Sequence, residues 1–287
     1  MSLHWYPGHM NRARRELEAL MPSQDVEIEV LDARLPASSA NPLVTELRRS
    51  KPCIKVLTKS DLADPAATQA WMAHFQRDKT VLAFASTTEK PGETRKKIHE
   101  LSKGMADYRG KDQDVRALIV GVPNVGKSTL VNTLRNKKVA AVGDKPAVTK
   151  VQQRVALPSG MIVTDSPGLM WPKIEDEAGG LRLALAGSIP DTALDYLTIA
   201  MFGAQIVLER YPALAVARYK LAAAPASAEA LLIEIGRRRG GLRPGGTVDL
   251  HKASEIFVHE FRHGLLGRIS LEVPAGDAGD APPELLP

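Results

Sequence analysis

Apolar runs alternate with helical periodicities through the first 170 or so residues. Val26–Leu31, Cys53–Leu57, Val81–Ala85 and Ala117–Val120 predict strands, while Asn41–Ser50, Pro65–Phe75 and Pro91–Met105 between them predict helices. Such alternation implies parallel strands joined by helical crossovers, and hence an α/β domain. Val151–Leu157 and Met161–Asp165 flank the short turn Pro158-Ser159-Gly160 and predict a hairpin on the same sheet. Beyond about residue 172 no strand pattern returns. Gly179–Gly187, Asp191–Val207, Tyr211–Ala224 and Ser227–Ile235 predict helices, and a loop rich in Gly and Arg spans Gly236–Gly246. The last helix starts near Thr247 or Asp249 and presents Leu250, Ala253, Phe257 and Phe261 at helical spacing. The expected organisation is a basic leader over 1–22, helical from Arg12 to Leu20, an α/β domain over 23–172, a helical domain over 173–272 and a disordered acidic tail over 273–287.

Composition narrows the class. The 287 residues suffice for a domain of about 150–200 residues plus a smaller one. The longest apolar stretches, such as Leu197–Leu208, are broken by polar residues well short of a membrane span, so no membrane partner is expected. The start, Met1-Ser2-Leu3-His4-Trp5, lacks a signal or transit pattern. The single cysteine, Cys53, lies in an apolar run and reads as a reduced core residue. A cytoplasmic monomer is expected. The net charge of +5 is unevenly spread: Glu272–Pro287 holds four acids and no Lys or Arg, so the rest is more basic still. Basic residues cluster at Arg12/Arg14/Arg15, Arg48/Arg49/Lys51, Arg95/Lys96/Lys97, Arg135/Lys137/Lys138 and Arg237/Arg238/Arg239. These clusters are poor in aromatics, which favours contact with RNA backbone over base stacking.

Two motifs carry the chemistry. Gly121-Val122-Pro123-Asn124-Val125-Gly126-Lys127-Ser128 follows a predicted strand, and Ser128-Thr129 can open a helix. Glycines there let backbone N–H groups, including those of Val125, Gly126 and Thr129, close around phosphates; Lys127 reaches the β/γ oxygens and Ser128 supplies a hydroxyl to Mg²⁺. The second motif, Thr58-Lys59-Ser60-Asp61, precedes the phosphate loop by some sixty residues. A carboxylate at Asp61 accepts two hydrogen bonds from the N1–H and N2–H₂ edge of guanine, whereas adenine would face it with an acceptor. Lys59 would lie over the base, and Ser86-Thr87 fits the loop that backs up guanine O6. In Asp165-Ser166-Pro167-Gly168, Asp165 suits Mg²⁺ through water and the Gly168 N–H suits the γ-phosphate. Thr149, lying between, is placed to close on Mg²⁺ when the γ-phosphate is present.

This motif order, guanine motif first and phosphate loop afterwards, resembles the circularly permuted GTPases of ribosome assembly, most closely the ribosome biogenesis GTPase A family. Further matches are Trp5-Tyr6-Pro7-Gly8-His9-Met10, Asp32-Ala33-Arg34-Leu35-Pro36 with Asn41-Pro42, and Phe261-Arg262 followed by Gly267-Arg268-Ile269-Ser270-Leu271-Glu272. The matches run from residue 4 to 272. The resemblance implies a circularly permuted P-loop GTPase domain, a mostly parallel sheet with helices on both faces, followed by a small all-α C-terminal domain that contacts ribosomal RNA. It also implies GTP hydrolysis coupled to late assembly of the large ribosomal subunit. Thr58 departs from the more usual Asn, Ala147 from Gly, and Tyr6 from Phe. Leu169 stands where ordinary GTPases carry the water-orienting Gln, so turnover is expected to be slow alone and stimulated by the large subunit. Asn124 resembles the Asn that binds K⁺ in cation-activated GTPases, and His9 is a second candidate, to orient water. The exit from Gly168 and Leu169 into the helical domain implies that GTP re-aims that domain on rRNA.

Competing readings exist. His259-Glu260-Phe261-Arg262-His263 is formally a zinc-protease pattern, about as rare by chance as the phosphate loop. It has no third ligand at the extended spacing, and the downstream carboxylates fall in the expected tail. An RNA-binding scaffold that senses nucleotide with little hydrolysis is the non-enzyme alternative, opposed by Lys127, Ser128, Thr149 and Asp165. A GTPase acting on tRNA would need an accessory catalytic motif that is not evident.

Overall fold

The computed structural model describes residues 8–106, 114–135, 153–157, 159–170, 176–190 and 195–275, with side chains from Arg14 onwards in the first helix. Helix α1 (Gly8–Leu20) leads into strand β1 (Val26–Asp32). There follow α2 (Pro36–Ser39), α3 (Pro42–Arg48), β2 (Cys53–Thr58), α4 (Pro65–Phe75), β3 (Val81–Ala85), α5 (Pro91–Met105) and β4 (Val115–Val120). Next come α6 (Lys127–Arg135), β5 (Gln153–Leu157) and β6 (Met161–Asp165). The sheet order is β3-β2-β1-β4-β6-β5; all neighbours are parallel except the β5–β6 hairpin. Parallel order brings the carboxyl ends of β2, β3, β4 and β6 to one edge, the position where open α/β sheets bind ligands.

Strand alternation explains the two helical layers. Val26, Ile28 and Val30 of β1 share a face with Ile54 and Val56 of β2, and Ile98 of α5 packs in the same core. On the opposite face Leu31, Leu57 and Ala83 pack against Trp71 of α4. That second face is polar nearer the strand starts: Glu27, Glu29, Cys53 and Lys55 are all buried there. Lys55 ion-pairs with Glu29 and lies 4.9 Å from the Phe75 ring centroid. Glu27 has no such partner for Oε2 among the described residues. Burial, reinforced by Glu29, pushes its carboxyl up to about 8.

The helical part comprises α7 (Glu177–Leu185), α8 (Tyr196–Arg210), α9 (Pro212–Tyr219), α10 (Ala228–Arg238) and α11 (Leu250–Arg262). Asp195 caps α8 by accepting from Leu197 N–H, so that helix starts later than its apolar pattern. Asp249 caps α11 through Lys252 N–H. Buried apolar side chains of α7, α8, α10 and α11 continue the core of the sheet's first face. No single helix among the described residues is long and apolar enough to cross a membrane.

One segment departs from the expected layout. Gly267–Glu272, assigned with the helices by sequence, is not helical and returns across the α/β layer. Ile269 N–H donates to Leu62 O at 3.0 Å, Leu271 N–H to Arg34 O at 2.7 Å, and Trp71 Nε1–H to Glu272 O at 3.2 Å. Glu272, counted with the acidic tail on composition, is buried: its carboxylate accepts from Ala37 and Ser38 N–H groups and from Ser38 Oγ. Two N–H groups at the start of α2 need an acceptor once covered, and this carboxylate supplies it.

Candidate functional site

The phosphate loop joins β4 to α6, with Ser128 and Thr129 in the first turn of that helix. Lys127 is buried, its ammonium donating to the carbonyls of Gly121 (3.0 Å) and Val122 (2.7 Å). Gly168 approaches so closely that a Cβ there would sit 3.0 Å from Pro123 backbone and 3.1 Å from Lys127 Nζ. The Asp165–Gly168 motif therefore meets the phosphate loop directly. Burial depresses the Lys127 ammonium to about 8, with Asp165 opposing, and raises the Asp165 carboxyl to about 6, with Lys127 and Arg135 opposing. Asp165 Oδ1 is buried with no hydrogen-bond partner among the described residues. An orphaned carboxylate oxygen beside a phosphate loop fits a site for hydrated Mg²⁺.

The guanine motif reaches the same place from β2. Thr58 Oγ1 lies 2.9 Å from Leu31 O and 2.5 Å from Val125 O, its one hydroxyl proton shared between the two carbonyls. Its hydroxyl thus ties β1 to the phosphate loop where a side-chain amide was expected. Lys59, at φ 56°, donates to Asn124 O and to Asp32 Oδ2, each at 2.8 Å. Burial alone would raise the Asp32 carboxyl, but Arg34 and Lys59 together hold it well below the carboxylate range. Ser60 is fixed from the β3 side: its N–H (3.4 Å) and Oγ (3.1 Å) both bond Ser86 O. Ser86 Oγ in turn meets Thr94 Oγ1 at 3.0 Å, and Thr87 Oγ1 accepts from Glu89 N–H. Asp61 is left exposed. Residues separated by more than sixty positions thus form one edge of the sheet.

Other candidates fall differently. Thr149 lies outside the described residues, as does the side chain of His9, whose backbone is in α1. Leu169 is buried, with its N–H on Gly121 O (3.3 Å) and its O accepting from Asn41 Nδ2 (2.8 Å). Asn124 Nδ2 donates to Gly187 O at 2.7 Å, so a K⁺ role would fall to its Oδ1. His259 and His263 stack with ring centroids 4.1 Å apart, and no third ligand joins them among the described residues. Glu260 faces the bundle, 2.6 Å from Arg218 and 3.6 Å from Arg239, so the zinc pattern lacks its general base. Sequence reasoning had no role for Asp32, Arg34 or Asn41 beyond their place in a family pattern, because one short polar side chain looks like another until its partner is known.

The fold and the ordering of its motifs define a P-loop GTPase whose domain is circularly permuted. A family model described as "50S ribosome-binding GTPase" matches residues 116–201. "Ribosome biogenesis GTPase A" of Bacillus licheniformis is 38% identical over 280 residues, covering 96% of this chain and 99% of the relative. The Thermotoga maritima protein of the same name is 34% identical, covering 95% of each chain. A GDP-bound structure of T. maritima YlqF superposes with a TM-score of 0.66 at 28% identity, covering 91% of this chain and 99% of that one. The chain belongs to the ribosome biogenesis GTPase A family, and family and fold are those of a GTP hydrolase.

Proposed function

We propose that this chain binds and hydrolyses GTP during late assembly of the large ribosomal subunit in the cytoplasm, its nucleotide state setting how the helical domain meets rRNA. The observation that carries this reading is the pair of bonds from Lys59 to Asn124 O and Asp32, which builds base and phosphate recognition into one edge. Thr58, Lys59, Ser60 and Asp61, backed by Ser86 and Thr87, hold guanine. Asn124, Val125, Gly126, Lys127, Ser128, Thr129 and Gly168 cradle the phosphates. Ser128 and Asp165, joined by Thr149, would hold Mg²⁺, which supplies charge neutralisation on the β- and γ-phosphate oxygens.

Lys127 spends two of its three ammonium donors on the Gly121 and Val122 carbonyls, and a phosphate would take the third or displace one of these neutral acceptors. Because Leu169 is buried and has no hydrogen-bonding side chain, water must be oriented by another group. Asn124 with K⁺, or His9 from the leader, are the residues we assign as candidates. Arg237 and Arg238, although paired with Glu234, are 60% and 39% exposed and fit an anionic RNA backbone. A monomer is sufficient for all these roles.

The test is GTP turnover by the full chain in K⁺ against Na⁺, with large subunits, small subunits or neither. Turnover raised by large subunits and higher in K⁺ is expected. Equal rates in the two cations would remove K⁺ from the reading. Stimulation by small subunits or free tRNA instead would overturn the partner. A flat time course with large subunits would leave a nucleotide-sensing scaffold.

A further inference from the structure

The guanine loop is held from two sides, and the second side comes from the far end of the chain. Arg268, an exposed residue in the segment after α11, donates through Nη2 to Ser60 O and through Nε to Ala63 O, both at 2.9 Å. Its planar fork spans the turn 60–63, whose own closure is the Leu62 N–H to Lys59 O bond of 2.9 Å. The neighbouring residues follow the same line. Ile269 N–H donates to Leu62 O, and Asp64 N–H donates to Ser270 Oγ at 3.1 Å. Gly264, at φ 70°, begins the turn that delivers Arg268; a Cβ there would lie 2.6 Å from Leu62 Cδ2.

Across residues 60–64, therefore, the main chain of Ser60, Leu62, Ala63 and Asp64 bonds the strap Arg268–Ser270. Asp61 alone among these five has no main-chain bond to the strap, and it is exposed. Both Arg268 acceptors are carbonyl oxygens rather than a carboxylate, so the arginine shapes the turn instead of neutralising a charge. We propose that Arg268 is a positioning residue for base specificity: it fixes the Ser60 carbonyl so that the following Asp61 carboxylate points at the guanine edge. This rests on the reading of Thr58–Asp61 as the guanine motif. A carboxylate misdirected by a fraction of an ångström loses its paired acceptance from N1–H and N2–H₂, so discrimination falls before affinity is lost altogether.

The experiment uses the full chain and measures equilibrium binding and release of GDP and of inosine diphosphate, which lacks the 2-amino group. Arg268→Gln, Arg268→Lys and Asp61→Asn are compared with the parent, with thermal midpoints recorded. Arg268→Gln is expected to weaken GDP about tenfold through faster release while weakening inosine diphosphate less, so the preference for GDP shrinks. Arg268→Lys, whose single ammonium cannot span both carbonyls as a planar fork does, should restore part of that preference. Equal loss for the two nucleotides, or no loss, overturns the positioning role. Asp61→Asn serves as the separate check: if it leaves the GDP preference intact, the guanine-motif reading fails and the role of Arg268 falls with it. If Asp61→Asn abolishes the preference and Arg268→Gln does not change it, only the Arg268 proposal fails.

Discussion

The side-chain amide of Asn124, inside the phosphate loop, donates to the carbonyl of Gly187 just beyond α7, 2.7 Å away. Asn124 sits at φ 61°, a conformation asparagine tolerates better than most residues. Arg262 of α11 bonds the two carbonyls before Gly187's neighbour, Ala184 O (2.9 Å) and Leu185 O (3.1 Å). The loop between β4 and α6 is thereby one hydrogen bond from the end of α7 and two steps from α11.

Replacing Asn124 with Ala leaves the Gly187 carbonyl without this donor and puts a less tolerant residue at φ 61°, a combined loss of about 2 kcal/mol. GDP affinity should change only a few-fold. The difference in amide-exchange protection of α7 and α8 between GDP and a non-hydrolysable GTP analogue should shrink or vanish. An unaltered response in the variant would mean that the coupling runs elsewhere.

Asp32 joins the guanine loop to α11: it accepts from Lys59 Nζ and from Arg34, while Arg34 lies 5.0 Å from the centroid of the Phe261 ring. Asp32→Asn removes a buried anion between two cations. A loss of about 3–5 kcal/mol in unfolding free energy is expected, measured by urea titration, together with weaker guanine-nucleotide binding. Asp32→Asn with parental stability would place the energetics in Arg34 and Lys59 alone.

Glu272→Ala should release the strap. The substitution orphans the Ala37 and Ser38 N–H groups and leaves Arg182, 3.6 Å from the carboxylate, short of one partner. A destabilisation of about 2–4 kcal/mol is expected by denaturation, with faster proteolysis within 264–275. Cleavage at the parental rate would show that Trp71 and Leu271 suffice to hold the segment.

Glu27 gives stability a pH slope. Its folded carboxyl titrates at about 8 against 4.5 unfolded, so the folded state binds more protons between those values. Stability therefore falls as pH rises from about 4.5 to 8. Glu27→Gln should flatten that slope and raise the thermal midpoint at pH 8, because it supplies the protonated shape at no desolvation cost. A variant that melts lower than the parent at pH 8 would indicate that Glu27 is ionised and paired.

The sequence carried its periodicities and loop chemistry openly. Strands Val81–Ala85 and Met161–Asp165 and helices Pro65–Phe75 and Pro91–Met105 occur where the pattern placed them, and the hairpin pairs Gln153–Leu157 with Met161–Asp165, residues 151, 152 and 158 lying outside the described residues. Patterns over a few residues reflect local constraints: alternation of apolar side chains, helix caps, and the backbone freedom a phosphate loop demands. The same reasoning explains why Lys127, Asp165 and Thr58–Asp61 stood out, since each motif is contiguous.

Contacts between distant residues were not legible in this way. Arg268 and Ser60 are 208 positions apart, Asn41 and Leu169 are 128 apart, and Asn124 and Gly187 are 63 apart. An arginine in a string looks the same whether water or a carbonyl receives its protons. Likewise nothing in the pattern of Val26–Leu31 marks Glu27 and Glu29 as buried acids; helices cover both faces of this sheet and enclose them. Motif identity lies in the chain because it depends on neighbours. The joining of guanine loop, phosphate loop and strap depends on strand order and on where the chain returns after α11, and only packing in three dimensions sets those.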